Sequence, residues 1–131
     1  MIIEKKYHFY AAHRNKQAGE KCGRIHGHTY YVICHFKFNK IKDGVTMLFS
    51  DIDKVVEPII KQYDHYFLLY ENDPLCDMLN LINEPYIKLP FETSAENISV
   101  WIFNQIRNKL PIIKIQLAET KSSNVIYEIE S

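Results

Sequence analysis

Cys22-Gly23-Arg24-Ile25-His26-Gly27-His28 holds a thiol and two imidazoles within seven residues, and a third imidazole, His13, lies a short loop upstream. On an extended backbone His26 and His28 project to the same side, and Gly27 removes the side chain between them. His13 ends an alternating segment able to pair with theirs, so three ring nitrogens can converge. Three protein ligands, an open fourth position and a nearby base make a catalytic metal centre. Neutral imidazoles suit Zn(II) better than the oxygen-preferring Mg(II) or Ca(II), while Fe(II), Co(II) or Ni(II) fit the same ligands. Cys22 has two readings: a fourth ligand closing a structural site, or a free thiol that a dication and Lys21 or Arg24 would activate as a base. Cys34 and Cys76 lack such neighbours and read as packing residues.

Two further groups can do chemistry. In Asp64-His65 a carboxylate can orient an imidazole as an acid/base unit, although adjacent Asp and His also occur as plain surface residues. Glu119 continues a strand face formed by Ile113, Ile115 and Leu117. A carboxylate there needs donors, either the N–H groups of a ligand or a salt-bridge partner.

The elements that must position these groups follow from periodicity. Residues 2–13 alternate as a strand, 14–24 form a polar loop, and 26–39 alternate again with Tyr30, Val32, Cys34, Phe36 and Phe38 on one face, giving a hairpin. Asp43-Gly44 marks a turn, and Ser50 with Asp53 resembles a capping box ahead of a helical stripe of Ile52, Val55, Val56, Ile59, Ile60 and Tyr63. Residues 66–90, broken by Pro74, Pro85 and Pro90, read as a connector with one short helix at 75–81. Thr93 and Glu96 form a second capping box, with Ile98, Trp101, Ile102 and Ile106 on one helical face up to about Lys109. Residues 112–120 and 124–130 alternate as strands. The order β-β-α-α-β-β predicts an α+β fold, a four-stranded antiparallel sheet with two helices on one face. The other face and both edges stay uncovered, so the sheets are expected to join edge to edge into a barrel on oligomerisation.

At 131 residues the chain suits one domain spanning 1–131. Lys plus Arg and Asp plus Glu are 16 each, which gives no field to attract nucleic acid or an anionic membrane, so the expected partner is a small molecule or another copy of the chain. The first residues turn polar at Glu4, and no apolar run approaches the ~20 residues of a membrane span, from which a cytoplasmic protein is expected. Three cysteines at irregular spacing make no disulfide framework.

Phe9-Tyr10-Ala11-Ala12-His13, Cys22 to His28, Tyr63-Asp64-His65, Thr93-Ser94-Ala95-Glu96-Asn97 and Ala118-Glu119-Thr120, taken in this order, resemble the 6-pyruvoyltetrahydropterin and 6-carboxytetrahydropterin synthase family. The resemblance implies a tunnelling fold, in which trimers close a barrel, two trimers stack into a homohexamer, and sites lie at subunit interfaces. It makes His13, His26 and His28 ligands of Zn(II), Cys22 the general base, and Asp64 with His65 a second acid/base pair. It makes Glu119 the grip on a pterin ring, and it places Thr93 and Ser94 along the pterin pocket. Three residues between Cys22 and His26 resemble the bacterial carboxy enzymes, which act on 7,8-dihydroneopterin triphosphate in the 7-deazaguanine route to queuosine. The alternatives are the pyruvoyl synthase or a related dihydroneopterin side-chain lyase, and a non-enzymatic pterin-binding or structural zinc protein. Leu48-Phe49 stands where the family commonly has Asp-Phe, and Leu69 where it commonly has Asn. Lys16, Lys21, Arg24 and Lys121 are the candidate cations for the triphosphate.

Overall fold

A computed structural model describes residues 1–130. Two long strands, β1 (Ile2–His13) and β2 (His26–Lys37), pair antiparallel over their whole length, from Ile2 opposite Lys37 to His13 opposite His26. Helix α1 (Phe49–Lys61) follows, then β3 (Tyr66–Tyr70), α2 (Leu75–Leu81), β4 (Tyr86–Leu89), α3 (Ala95–Arg107), β5 (Ile112–Ala118) and β6 (Asn124–Glu128). The strands form one six-stranded sheet in the order β4-β3-β1-β2-β5-β6.

The hairpin, α1, α3 and the closing strand pair lie where periodicity predicts them. Phe9 and Ala11 of β1 share a buried face with Tyr30, Val32, Cys34 and Phe36 of β2, and against it pack Ile52, Val56, Ile59 and Ile60 of α1 and Ile98, Ile102, Phe103 and Ile106 of α3. These side chains form one cluster, the apolar burial that holds the sheet and both helices together. Burial pushes the Cys34 thiol up to about 12, so it packs as an inert apolar group.

The connector is the main correction. Residues 66–90 contain the short helix at 75–81 as expected, but also two strands, and β1–β3 and β3–β4 pair in parallel, so the sheet is mixed and six-stranded rather than antiparallel and four-stranded. Leu68 joins the main core, whereas its neighbour Leu69 is buried on the opposite side with Cys76 and Leu79. Adjacent strand residues face opposite ways, which puts α2 on the sheet face away from α1 and α3. The rest of that face stays open, with Tyr10, Tyr31 and Ile126 exposed.

Both predicted capping boxes also shift. The N-cap of α1 is Leu48, with no side-chain cap, and Ser50 and Asp53 lie inside the helix. Leu48 thus occupies the position where an Asp could accept an orphan N–H. For α3 the cap is Ser94, whose hydroxyl accepts from the Asn97 N–H at 3.1 Å, and not Thr93.

Candidate metal centre and acid/base groups

The register of β1 against β2 builds the histidine cluster. His13 lies directly opposite His26, and His28 lies two residues further along β2, opposite Ala11, on the same face as Tyr30. The cluster therefore extends the buried sheet face beyond the apolar core. One potential ligand atom from each of the three rings lies within 4.8 Å of the other two.

The rings are held as a metal would require. Nδ1 of His13 donates to the Thr93 carbonyl at 2.7 Å, and Nδ1 of His26 donates to the Arg24 carbonyl at 2.7 Å. A carbonyl can only accept, so each bond fixes the proton on Nδ1 and leaves a lone pair on Nε2. Nε2 of His13 and Nε2 of His28 are buried without a hydrogen-bond partner, an arrangement that costs free energy until something binds them. Burial pushes His13 down to about 4 and lowers His28 as well, so both favour the neutral, ligating form. The residues present fit a divalent cation with nitrogen ligands. Neither Cys22 nor Glu119 lies close enough to all three nitrogens to join the group.

Thr93 is completely buried, and its hydroxyl donates to the Arg14 carbonyl at 3.1 Å. It therefore reaches the site through His13, while Ser94 lines the cavity itself. That cavity, about 180 Å³, is also lined by His13, Asn15, Cys22, His26, Glu96 and Glu119. Cys22 is exposed in the loop before β2, where its carbonyl accepts from the Asn15 N–H at 2.7 Å and where Arg24 pairs with Glu20 at 3.0 Å. The same loop packs tightly at Gly23, where a Cβ would come within 3.1 Å of the Gly19 carbonyl oxygen and push it back by a few tenths of an ångström.

Asp64 and His65 stand elsewhere. Their side chains pair at 2.8 Å, and Asp64 also accepts from the Tyr10 N–H at 2.9 Å. That backbone bond, with His65 beside it, holds the Asp64 carboxyl below the usual carboxylate range. His65 has φ of 64°, a left-handed conformation that is rare outside glycine, and its N–H donates to the Tyr10 carbonyl at 2.6 Å. It faces a second cavity, about 480 Å³, bordered by Tyr10, His28, Thr29, Tyr66 and Glu84. The histidine cluster thus borders both of these cavities, with Cys22 on one and His65 on the other.

Tyr30 and the two backbone carbonyls were not anticipated as site groups. Tyr30 is fully buried, stacked on Phe9 at 4.8 Å and edge-on to His28 at 5.5 Å, and its hydroxyl has no partner. Its alternation marks it only as core, and carbonyls leave no trace in a sequence.

The sequence profile of the 6-pyruvoyl tetrahydropterin synthase family matches residues 2–130. The chain belongs to that family. Among its relatives, the 6-carboxy-5,6,7,8-tetrahydropterin synthase of Haemophilus influenzae is 30% identical over 96% of this chain and 97% of its own length. Two solved structures share the fold. An uncharacterised protein from Wolinella succinogenes superposes with a TM-score of 0.85 at 19% identity, covering 99% of this chain and 98% of that one. The Caenorhabditis elegans 6-pyruvoyl tetrahydropterin synthase superposes with a TM-score of 0.74 at 17% identity, covering 99% and 96%. No helix among the described residues is long and apolar enough to cross a membrane.

Proposed function

We propose that residues 1–131 act as one zinc-dependent 6-carboxytetrahydropterin synthase domain in the cytoplasm, assembled as a homohexamer of two trimers. It converts 7,8-dihydroneopterin triphosphate and water to 6-carboxy-5,6,7,8-tetrahydropterin, acetaldehyde and triphosphate, in 7-deazaguanine and queuosine biosynthesis. The observation that carries this reading is the histidine trio itself, with Nδ1 fixed on carbonyls at His13 and His26 and Nε2 buried and unpartnered at His13 and His28. Support for the carboxy product comes from the H. influenzae relative and from the three-residue spacing between Cys22 and His26.

His13, His26 and His28 would hold the ion, which supplies Lewis-acid polarisation of the side-chain oxygens. Cys22, on the cavity that His13 and His26 also line, is the base that takes the proton from the substrate side chain. Asp64 accepts from His65 and keeps the imidazole oriented, so that it can move a second proton. Glu119 accepts from the pterin amino group and ring N–H, and Ser94 lines the pocket beside it. Thr93 contributes by holding His13. Because Cys22 and His65 open onto different cavities of one chain, a complete site needs two chains, in keeping with the open sheet edges at β4 and β6.

Incubation of zinc-loaded protein with 7,8-dihydroneopterin triphosphate tests the reading. Acetaldehyde released together with triphosphate supports it, and metal-loaded protein that releases none overturns the carboxy assignment. A second reading, the pyruvoyl synthase, draws on the shared fold of the C. elegans enzyme and is distinguished by its product.

A further inference from the structure

Glu119 stands one residue beyond the end of β5, and its two carboxylate oxygens straddle the cluster. Oε1 lies 4.0 Å from Nε2 of His13, and Oε2 lies 3.8 Å from Nε2 of His28. Those are the two buried nitrogens without hydrogen-bond partners. With its proton held on Nδ1 by the Thr93 carbonyl, His13 turns a lone pair toward the carboxylate. Negative charge facing a lone pair is unfavourable unless a cation stands between them. Two ligands on one tetrahedral zinc, each at about 2.0–2.1 Å, are roughly 3.4 Å apart. At His13 and His28 these separations exceed that spacing by only about half an ångström. No carboxylate oxygen among the described residues lies within 4.8 Å of all three histidine nitrogens, so Glu119 reaches an ion held by the trio through a larger shared movement, as the side chain swings in and the histidines close around it.

We propose that Glu119 is a displaceable fourth ligand: in the substrate-free protein its carboxylate occupies the open position of the metal, and it leaves that position to bind the pterin ring. The displacement rests on the function proposed above; the resting coordination does not. The two duties exclude one another at any moment, so the site is closed to adventitious ligands until a ring with matching N–H donors draws the carboxylate away. The partial exposure of the Glu119 side chain, 28%, leaves it room to swing.

Substrate-free protein loaded with Co(II), and Zn(II) titrated against a chromophoric chelator, give the test. Glu119→Gln should bind Zn(II) roughly 10- to 100-fold more weakly and change the visible Co(II) spectrum. Glu119→Asp, which keeps the charge but shortens the reach, should show the altered spectrum with a smaller loss of affinity. Unchanged affinity and spectrum in Glu119→Gln overturn the proposal, and so does weaker binding with an unchanged spectrum, since charge alone would then account for it. Wild-type protein that takes up no Co(II) overturns the three-histidine site itself. Failure of the product assay with these metal results intact overturns only the assigned reaction.

Discussion

His13, His26 and His28 sit on paired strands whose register leaves them one shared face, whereas Cys22 and His65 stand in loops that open on different cavities bordering that cluster. The first region is fixed by the same hydrogen-bonded ladder that builds the core, and its rings are further pinned by carbonyls of Thr93 and Arg24. The second is fixed by local devices: a close approach at Gly23, and a left-handed residue at His65 tied to Tyr10. Metal binding should therefore be a property of the single chain. Turnover should depend on how loops and neighbouring chains come together. Substitutions in the two regions should separate metal affinity from rate.

The largest effect is expected at the cluster. His28→Ala removes a proposed ligand whose Nε2 is buried without a hydrogen-bond partner, and it should abolish both stoichiometric metal binding and turnover. Metal analysis after dialysis checks this, and retention of one tightly held ion per chain would show that His28 is not a ligand. Cys22→Ala should do the opposite. The metal should stay while kcat falls by about 10²- to 10⁴-fold, the usual contribution of a positioned general base. Loss of metal in Cys22→Ala would instead place the sulfur on the ion and erase the distinction between the two regions.

What could be read from the sequence and what could not follows from how each element is built. Long alternation in residues 2–13 and 26–37 exposes the pairing face directly, and with it the trio of imidazoles. The helical stripes of α1 and α3 were equally plain, because apolar residues such as Ile52, Val56, Ile59 and Ile60, or Ile98, Ile102 and Ile106, repeat at one period. Residues 66–70 and 86–89 are too short and, at Tyr66 to Tyr70, too uniformly apolar to show a period, because Leu68 and Leu69 are buried on opposite faces of the sheet. Thr93 with Glu96 matched the capping pattern in the sequence. The cap fell to Ser94 because the Thr93 hydroxyl is already engaged at Arg14 and His13. A departure such as Leu69 makes sense only once α2 is seen to cover it.

Acid should expose the stability held in the cluster. Well above pH 6.5, the ordinary imidazole value, His13 is neutral in folded and unfolded chains alike and contributes no pH dependence. Between 6.5 and about 4 the unfolded chain takes up a proton that the buried ring refuses, so stability falls with falling pH, by about 3 kcal/mol over that window. His28, also lowered, adds in the same direction, and the lowered Asp64 and Asp73 steepen the loss at still lower pH. Urea titrations of metal-free protein from pH 8 to 4 measure this, with unfolding free energy expected to be flat above 7 and declining below. A flat profile through pH 5 would mean that His13 is accessible to protons and that the cluster is no more closed than the loops.

Tyr30→Phe gives the smallest effect and the finest test of how finished the buried region is. The Tyr30 hydroxyl is buried without a partner, while the ring keeps its stacking on Phe9. Deleting the oxygen removes an unpaid desolvation cost and leaves the packing alone, so metal-free Tyr30→Phe should be as stable as wild type or about 1 kcal/mol more stable in urea titrations. Burial, with the Glu119 carboxylate nearby, pushes the Tyr30 hydroxyl well above its ordinary range, so it stays protonated and can only lose, not gain, by standing alone. If the variant is instead destabilised by 1 kcal/mol or more, the hydroxyl has a partner in solution. The inner end of the cluster would then resemble the loops, completed only by what binds there.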